Sequence, residues 1–385
     1  MVQNGPIMQP AGTSAQIPAA PTKPAQQQIP FRIATTERTE ILQTEAGTIS
    51  AVEQVFDRTL EGTGYVFGIM LHMVCTTAGN AAAVTFVEDG PWSALSSIIY
   101  RDPTGEAVNL PGFSLYVANW AMRNYSNTPL DSNQIDASAA NEFYSATTGA
   151  GATGGSFTTN LRVPIAINRR NLLGLLGNQD RGVKYQLRTN VNSSANIYGV
   201  APTAAGAFTI EKIYESYTVP APVGAYGPQQ FIPDGFGTIH FLTQNVSEAV
   251  PAASATLNHY LRRIGNMWRW VGLIIRGNTR ALGQANTTRL QMKIGDTDFY
   301  NEPYWYRRAV MYDRYGTRPP AGVLIYDFIH DFLPFAGGEL GDDWVNTKDV
   351  NTAQFIITYG AGIVAGSTLT FLTDDLALVG QPLGS

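Results

Sequence analysis

The sequence predicts an all-β fold: two jelly-roll β-sandwiches in tandem, with short flanking helices. Three observations predict it. The 385-residue chain carries only 14% charged residues, with 38 Gly, 22 Pro and 44% hydrophobic residues. About 25% charge is usual in globular chains. Such a composition suits many short strands joined by turns and disfavours helical bundles. Short β-type runs bounded by Gly, Pro, Asn and Asp recur along the chain. The order of those runs then repeats. The stretch from Glu88 to Trp120 (turn, strand, turn, aromatic run) returns in reduced form from Arg289 to Tyr312.

In chain order, residues 1–30 hold six Pro and six Gln, one Lys, and no acid or aromatic. They cannot bury a core and are expected to form an extended or disordered arm. Phe31 to Thr48 reads as a half-exposed first strand, and Ser50 to Phe56 as more extended chain. Tyr65 to Thr76 is a long buried strand, and Ala83 to Val87 runs back. Ser96 to Arg101 is strand-like. Asp102-Pro103-Thr104-Gly105 places Asp, Pro and Gly where a tight turn wants them. Phe113, Tyr116, Val117 and Trp120 then share one helical face, and Trp120, Tyr116 and Phe113 are assigned a structural, core-packing role. The segment 121–156, with a glycine tip at 150–155, is a long loop of the kind used for interactions. Phe157 to Ile167 is a strand, Asn171 to Gly177 a short helical turn, and Val183 to Val191 an alternating strand. Phe208 to Val219 closes a first unit of residues 31–219. A Pro/Gly linker, 220–235, follows.

The second unit, 236–385, repeats the order. Ile239 to Leu242 opens it. Met267 to Arg276 matches the buried strand at Tyr65, and Leu290 to Ile294 with its aromatic run matches the Ser96–Trp120 region. Trp305 in that run is assigned the same structural role. Gly322 to Phe332, Ala353 to Tyr359 and Ser367 to Leu378 match the last three strands. A duplication of about 150–170 residues is a domain repeat, not a short-period array. Roughly eight strands per copy fit a jelly roll.

Chemistry is sparse. The net charge is −5 and the pI about 5.4, so no basic face draws the chain to nucleic acid. The pairs Arg169-Arg170, Arg262-Arg263 and Arg307-Arg308 are scattered. Cys75 is a lone cysteine in an apolar run and reads as a small buried residue. No apolar run approaches the ~20 residues of a membrane span, and the N-terminus lacks a secretory pattern. His72 reads as a hydrogen-bonded core residue. In Asp327-Phe-Ile-His330-Asp331 the acids and His330 face opposite ways in a strand, so metal ligands do not converge. Glu339, Asp342 and Asp343 read as a solvated acidic loop. No nucleophile elbow, phosphate loop or H-E-x-x-H is present, and the four sequons, at Asn124, Asn192, Asn245 and Asn286, read as chance. No catalytic residue, no metal and no cofactor is expected.

Several ordered motifs resemble a known family. They are Val66-Phe-Gly68, Glu88-Asp-Gly-Pro91, Ile98-Ile-Tyr-Arg-Asp-Pro103, Leu115-Tyr-Val-Ala-Asn119, Arg162-Val-Pro-Ile-Ala166, Glu215-Ser-Tyr217 and Met267-Trp-Arg-Trp270. From about residue 40 onward the series resembles the double jelly-roll major capsid proteins of tailless, membrane-containing icosahedral bacteriophages, the tectivirus type. The resemblance implies a homotrimer forming a pseudo-hexagonal capsomer that tiles a virion shell over an inner membrane. It implies neighbouring capsomers, penton and minor capsid proteins as partners, no specific nucleic acid, and synthesis in the host cytoplasm. Some members begin with a helix touching the membrane; the Pro/Gln-rich arm here is a poor helix former, which leaves membrane contact through it as a candidate only. Two other readings remain open: a carbohydrate-binding or glycan-cleaving β-sandwich protein using Trp92, Trp305 and Tyr306 as surface aromatics, and a minor vertex or spike protein of the same virion.

Overall fold

The computed structural model describes residues 31–122, 145–220, 237–328 and 344–377, apart from 61, 63, 79, 104, 152, 168–171, 181, 246–247, 251–254, 316–318 and 365. The arm 1–30, most of the linker, part of the 121–156 loop, Arg169, Arg170, His330, Asp331 and the acidic group Glu339, Asp342 and Asp343 lie outside the described residues.

Sixteen strands carry the fold. The first eight are β1 (Glu37–Thr48), β2 (Gln54–Leu60), β3 (Gly64–Thr76), β4 (Leu95–Asp102), β5 (Gly105–Leu110), β6 (Phe157–Pro164), β7 (Tyr185–Val191) and β8 (Ala207–Tyr217). The second eight are β9 (Ile239–Gln244), β10 (Thr256–Tyr260), β11 (Met267–Arg276), β12 (Thr287–Ile294), β13 (Thr297–Pro303), β14 (Val323–Asp327), β15 (Ala353–Tyr359) and β16 (Thr368–Ala377). The first set forms the ladders β1-β8-β3-β6 and β2-β7-β4-β5. The second forms β9-β16-β11-β14 and β10-β15-β12-β13. Adding eight to each strand number converts the first pair of ladders into the second. Each half is therefore a jelly roll of two four-stranded ladders, and the expected duplication holds strand for strand.

The sequence explains the matching elements. β3 and β11 are buried along most of their length because they lie at the centre of their ladders. β7 and β15 share one burial alternation, with every second residue inward (Tyr185, Leu187, Thr189, Val191; Ala353, Phe355, Ile357, Tyr359). That is the period of a strand with one wet face. The β4–β5 turn forms where Asp102 predicts it: its Oδ1 accepts from Gly105 N at 2.9 Å. The equivalent β12–β13 turn places Gly295 at φ 58°, a conformation that favours glycine.

One junction joins the rolls. β5 runs parallel to β9, pairing Val108 with Leu242 and Asn109 with Thr243. This makes a ten-stranded sheet across both rolls, completed by the short strands Glu248–Ala249 and Val345–Asn346. Because the pairing is parallel, the rolls stand side by side with the same polarity.

Three helices matter. α1 (Gly112–Ala121) connects β5 to β6, and α3 (Tyr304–Tyr315) connects β13 to β14 at the equivalent place. α2 (Arg280–Asn286) follows β11 and is capped by Thr279, whose hydroxyl accepts from Leu282 N at 3.2 Å.

Three local expectations change. Phe31–Ala34 is a helical turn and the strand starts at Glu37; Phe31 is buried against Tyr65 and Tyr217, with ring centroids 5.0 and 5.9 Å away. Residues 172–175 form a turn, not a helical one, and Leu176–Asn178 pairs with the start of β3. Gly174 sits there at φ 82°, where a Cβ would lie 2.7 Å from Ile165 O. The end of the 121–156 loop is structured: Ser145–Ala146 pairs with β6, and Gly149–Gly151 pairs with Asn80–Phe86. Gly149 and Gly151, at φ 95° and 123°, give that pairing its backbone freedom.

Candidate assembly surfaces

The two equivalent helices have opposite environments. All ten residues of α1 are buried. Trp92 stacks on Tyr116 with centroids 4.1 Å apart, and Phe113 meets the same indole edge-on at 6.3 Å. Trp120 lies 4.5 Å from Tyr315 of α3. Asn119 fixes the helix to β6 with a matched pair of bonds: its amide donates to Arg162 O at 2.8 Å and its carbonyl accepts from Arg162 N at 2.7 Å. Ser114 donates to Gln244 of β9 at 2.6 Å. α1 is thus a wedge at the junction, touching both rolls.

A charged clasp closes over the wedge. Glu88 and Asp89 of the first roll face Arg276 and Arg280 of the second. Arg280 Nε donates to Asp89 Oδ1 at 2.9 Å, its backbone N to Glu88 Oε1 at 2.6 Å, and its Nη2 to Glu88 O at 3.1 Å. Arg276 pairs with Asp89 as well. Both guanidinium groups lie over the Phe113 ring, at 4.4 Å for Arg280 and 5.6 Å for Arg276. Cations over an aromatic face gain from its quadrupole. Sequence reasoning read Asp89-Gly90-Pro91 only as the turn that opens the Glu88–Trp120 stretch. Its partners lie about 190 residues away, so no local pattern reveals the clasp.

α3 buries Tyr304, Arg307, Met311 and Tyr315. Arg307 donates to Glu302 at 2.5 Å and lies over the rings of Tyr300 and Tyr326 at 4.5 and 4.3 Å. Arg308 closes the following turn, donating to the carbonyls of Pro319 at 2.9 Å and Pro320 at 2.5 Å. The opposite face is open and carries three aromatic rings beside charged residues. Trp305 is 68% exposed, Tyr306 47% and Tyr312 54%. Trp305, Arg308, Ala309 and Tyr312 stand at i, i+3, i+4 and i+7, one stripe of a helix. Beside the stripe run two clefts. One, of about 600 Å³, is lined among others by Gln284, Thr288, Pro303, Tyr304 and Trp305. The other, of about 440 Å³, is lined by Arg308, Ala309, Tyr312 and Pro319.

Of the four aromatics assigned a structural role, Phe113, Tyr116 and Trp120 are each at most 4% exposed along α1, Phe113 and Tyr116 against Trp92 and Trp120 against Tyr315, whereas Trp305 stands apart on the surface. Trp92, expected as a surface aromatic, is 3% exposed beneath α1.

Buried ions hold each roll internally. In the first, Lys212 of β8 donates to Glu45 of β1 at 2.9 Å, and Arg58 joins at 3.1 Å. Burial drives the Lys212 ammonium below its ordinary pKa, with Glu45 offsetting part of that. In the second, Asp374 of β16 takes His240 of β9 at 3.1 Å and Arg269 of β11 at 2.7 Å. Cys75 is buried, and burial pushes its thiol up to about 11. His72 Nδ1 sits 2.6 Å from Asn160 Oδ1, as expected of a hydrogen-bonded histidine. Among the described residues no cluster of His, Cys, Asp and Glu could hold a metal ion, and no helix is long and apolar enough to cross a membrane.

The architecture is the double jelly roll of viral major capsid proteins. Three solved structures place it there. The STIV MCP, from Sulfolobus Turreted Icosahedral Virus, aligns over 89% of this chain and 97% of its own at TM-score 0.61 and 14% identity. The PBCV-1 virus capsid protein aligns over 91% and 95% at 0.62 and 12% identity. The major capsid protein P2 from bacteriophage PM2 aligns over 91% and 100% at 0.54 and 8% identity. At such identities the likeness is one of fold. No known family model and no curated protein matches the sequence.

Proposed function

We propose that this chain is the major capsid protein of an icosahedral virus: a structural protein, not an enzyme, that trimerises into pseudo-hexagonal capsomers. The carrying observation is the parallel β5–β9 junction, which sets two equivalent rolls side by side with one polarity. A trimer of such subunits presents six similar flanks around a threefold axis, the shape that tiles a shell. The functional units in this reading are roll one (31–219), a linker (220–235), roll two (236–385) and the arm 1–30 beneath or between capsomers. The proposed partners are other copies of the chain and the penton and minor proteins of the virion. The shell would enclose a membrane that the arm contacts, and the protein would be made in the host cytoplasm. Low surface charge supports wide coverage by neighbours, since charges are depleted at interface cores.

The test is the mass of purified protein by light scattering. Three times the 41.7 kDa chain mass is expected, with hexagonal particles by electron microscopy. A stable monomer at tens of micromolar would sink the proposal. A glycan-binding role draws on Trp305 and Tyr306 alone, because Trp92 is enclosed; glycan-array binding lost in Trp305→Ala would favour it instead.

A further inference from the structure

α1 and α3 correspond residue for residue. Each follows a proline, Pro111 for α1 and Pro303 for α3. The strands ahead set the same register: Val108 pairs with Tyr100 and Tyr300 with Met292, each three places before its proline, and both ladders shift just beyond that pair. Phe113 therefore corresponds to Trp305, Ser114 to Tyr306 and Trp120 to Tyr312. In α1 these side chains reach the second roll: Phe113 beneath Arg276 and Arg280, Ser114 on Gln244, Trp120 on Tyr315. In α3 the same positions are exposed rings. The surface that receives α1 has a counterpart as well. The ladder shifts match Glu215–Gly68 of roll one with Asp374–Trp270 of roll two. Two residues on, the row Ile41–Ile213–Met70 matches Gln244–Leu372–Gly272. Gln244 takes the bond from Ser114, whereas Ile41 is 64% exposed and Ile213 and Met70 are half-buried. The strand edges agree. β5 and β9 pair with each other, while their counterparts β13 and β1 each end a ladder among the described residues.

We propose that Trp305, Tyr306 and Tyr312 dock on roll one of a second copy of the chain, over its row Ile41–Ile213–Met70, and that β13 pairs in parallel with β1 of that copy. Tyr306 then covers Ile41 as Ser114 covers Gln244. Tyr300 and Asn301 lie opposite Thr39 and Glu40, as Val108 and Asn109 lie opposite Leu242 and Thr243. The polar contact inside the chain becomes an apolar one between chains, where burial of exposed rings and an exposed isoleucine drives association. Pairing the two free edges also removes sheet edges that would otherwise invite wrong partners. Each copy gives one face and receives on another, and a head-to-tail contact of this kind closes into a ring. Parallel pairing keeps every roll the same way up. The inference rests on the assembly reading and names the surface that makes the trimer.

The test is cross-linking of full-length Tyr306→Cys/Ile41→Cys protein with a short bismaleimide, read on a denaturing gel. Both changes are at exposed side chains, and the native Cys75 is buried. The double variant should give a covalent band of three chains. Either single variant should stay at one chain, and the two single variants mixed should link at most two. A linked pair from Tyr306→Cys alone would place α3 against α3 and overturn the proposal. Trp305→Asp, whose circular dichroism should be unchanged, is expected to raise the concentration at which trimers form at least tenfold; a folded variant that trimerises as wild type does also overturns it. Light scattering on the uncross-linked double variant separates the two levels. A trimer that does not cross-link defeats this inference alone, whereas a monomer defeats the assembly reading with it.

Discussion

Helical spacing put Phe113, Tyr116 and Trp120 on one face, and all three are at most 4% exposed, but the same reading gave Trp305 a core role and that ring is 68% exposed. Trp120→Ala should cost about 3–5 kcal/mol, read as a fall in melting temperature, while Trp305→Ala should stay within about 0.5 kcal/mol. An unchanged melting point for Trp120→Ala would mean that the contact with Tyr315 contributes nothing. What spacing could not supply was the environment of each ring. Trp92 follows Pro91 and Trp305 follows Tyr304, one residue after Pro303, yet one is enclosed and the other open, because only the first lies under α1. Asp374 gives a pH prediction. Burial alone would raise its carboxyl, but Arg269 and His240 outweigh that and hold it below its ordinary value. A depressed folded pKa means the native state binds fewer protons than the unfolded one. The stability so contributed is therefore full above about pH 4, the unfolded value, and is lost as pH falls through the lower folded value. Asp374→Asn should be less stable at pH 7 by about 3–5 kcal/mol, since it removes the buried carboxylate that pairs with Arg269 and His240, and should show a flatter acid limb in urea titrations between pH 4 and pH 2. Cys75, buried with a raised thiol pKa, should resist alkylation at pH 8 until denaturant is added.

At the level of elements, the duplication was readable because burial alternation and turn chemistry are local: β7 and β15 carry the same inward pattern, and both hairpins place glycine at their tips. The misreadings were tertiary in origin. Residues 171–177 have the leucine content of a helix, but Gly174 adopts a backbone that a helix cannot use, and Leu176–Asn178 is recruited by the unpaired side of β3. Residues 145–151 have no strand propensity of note, yet two neighbouring strands offer free edges. α1 itself makes a sharper test. Alanine is intrinsically a better helix former than glycine by about 1 kcal/mol, so Gly112→Ala would stabilise an isolated helix. Here the added Cβ would lie 2.2 Å from Trp92 O and 3.1 Å from Leu95 O. Overpacking of this kind costs about 1–3 kcal/mol. A lowered melting temperature is expected; a raised one would mean that α1 shifts freely and is not wedged.

Across the whole molecule, the two rolls are coupled by a two-residue parallel ladder, one buried helix and the Glu88/Asp89–Arg276/Arg280 clasp. That coupling predicts one cooperative transition in calorimetry. Asp89→Ala leaves Arg280, 3% exposed at its side chain, with a lost charged hydrogen bond worth roughly 1.5–3 kcal/mol, and should separate the endotherm into two; a single unbroken peak would show that the clasp is dispensable. The shared polarity of the rolls has another result. β8 runs opposite to β1, so it finishes where β1 starts, and β9, parallel to β5, sets out from that same pole. The exit of one roll and the entrance of the next are therefore neighbours, and the connection between Tyr217 and Ile239 never has to travel the height of the molecule. A foreign domain spliced into that connection would hang from one pole of every subunit, leaving sixteen strands in register, and in a closed shell every passenger would face the same side.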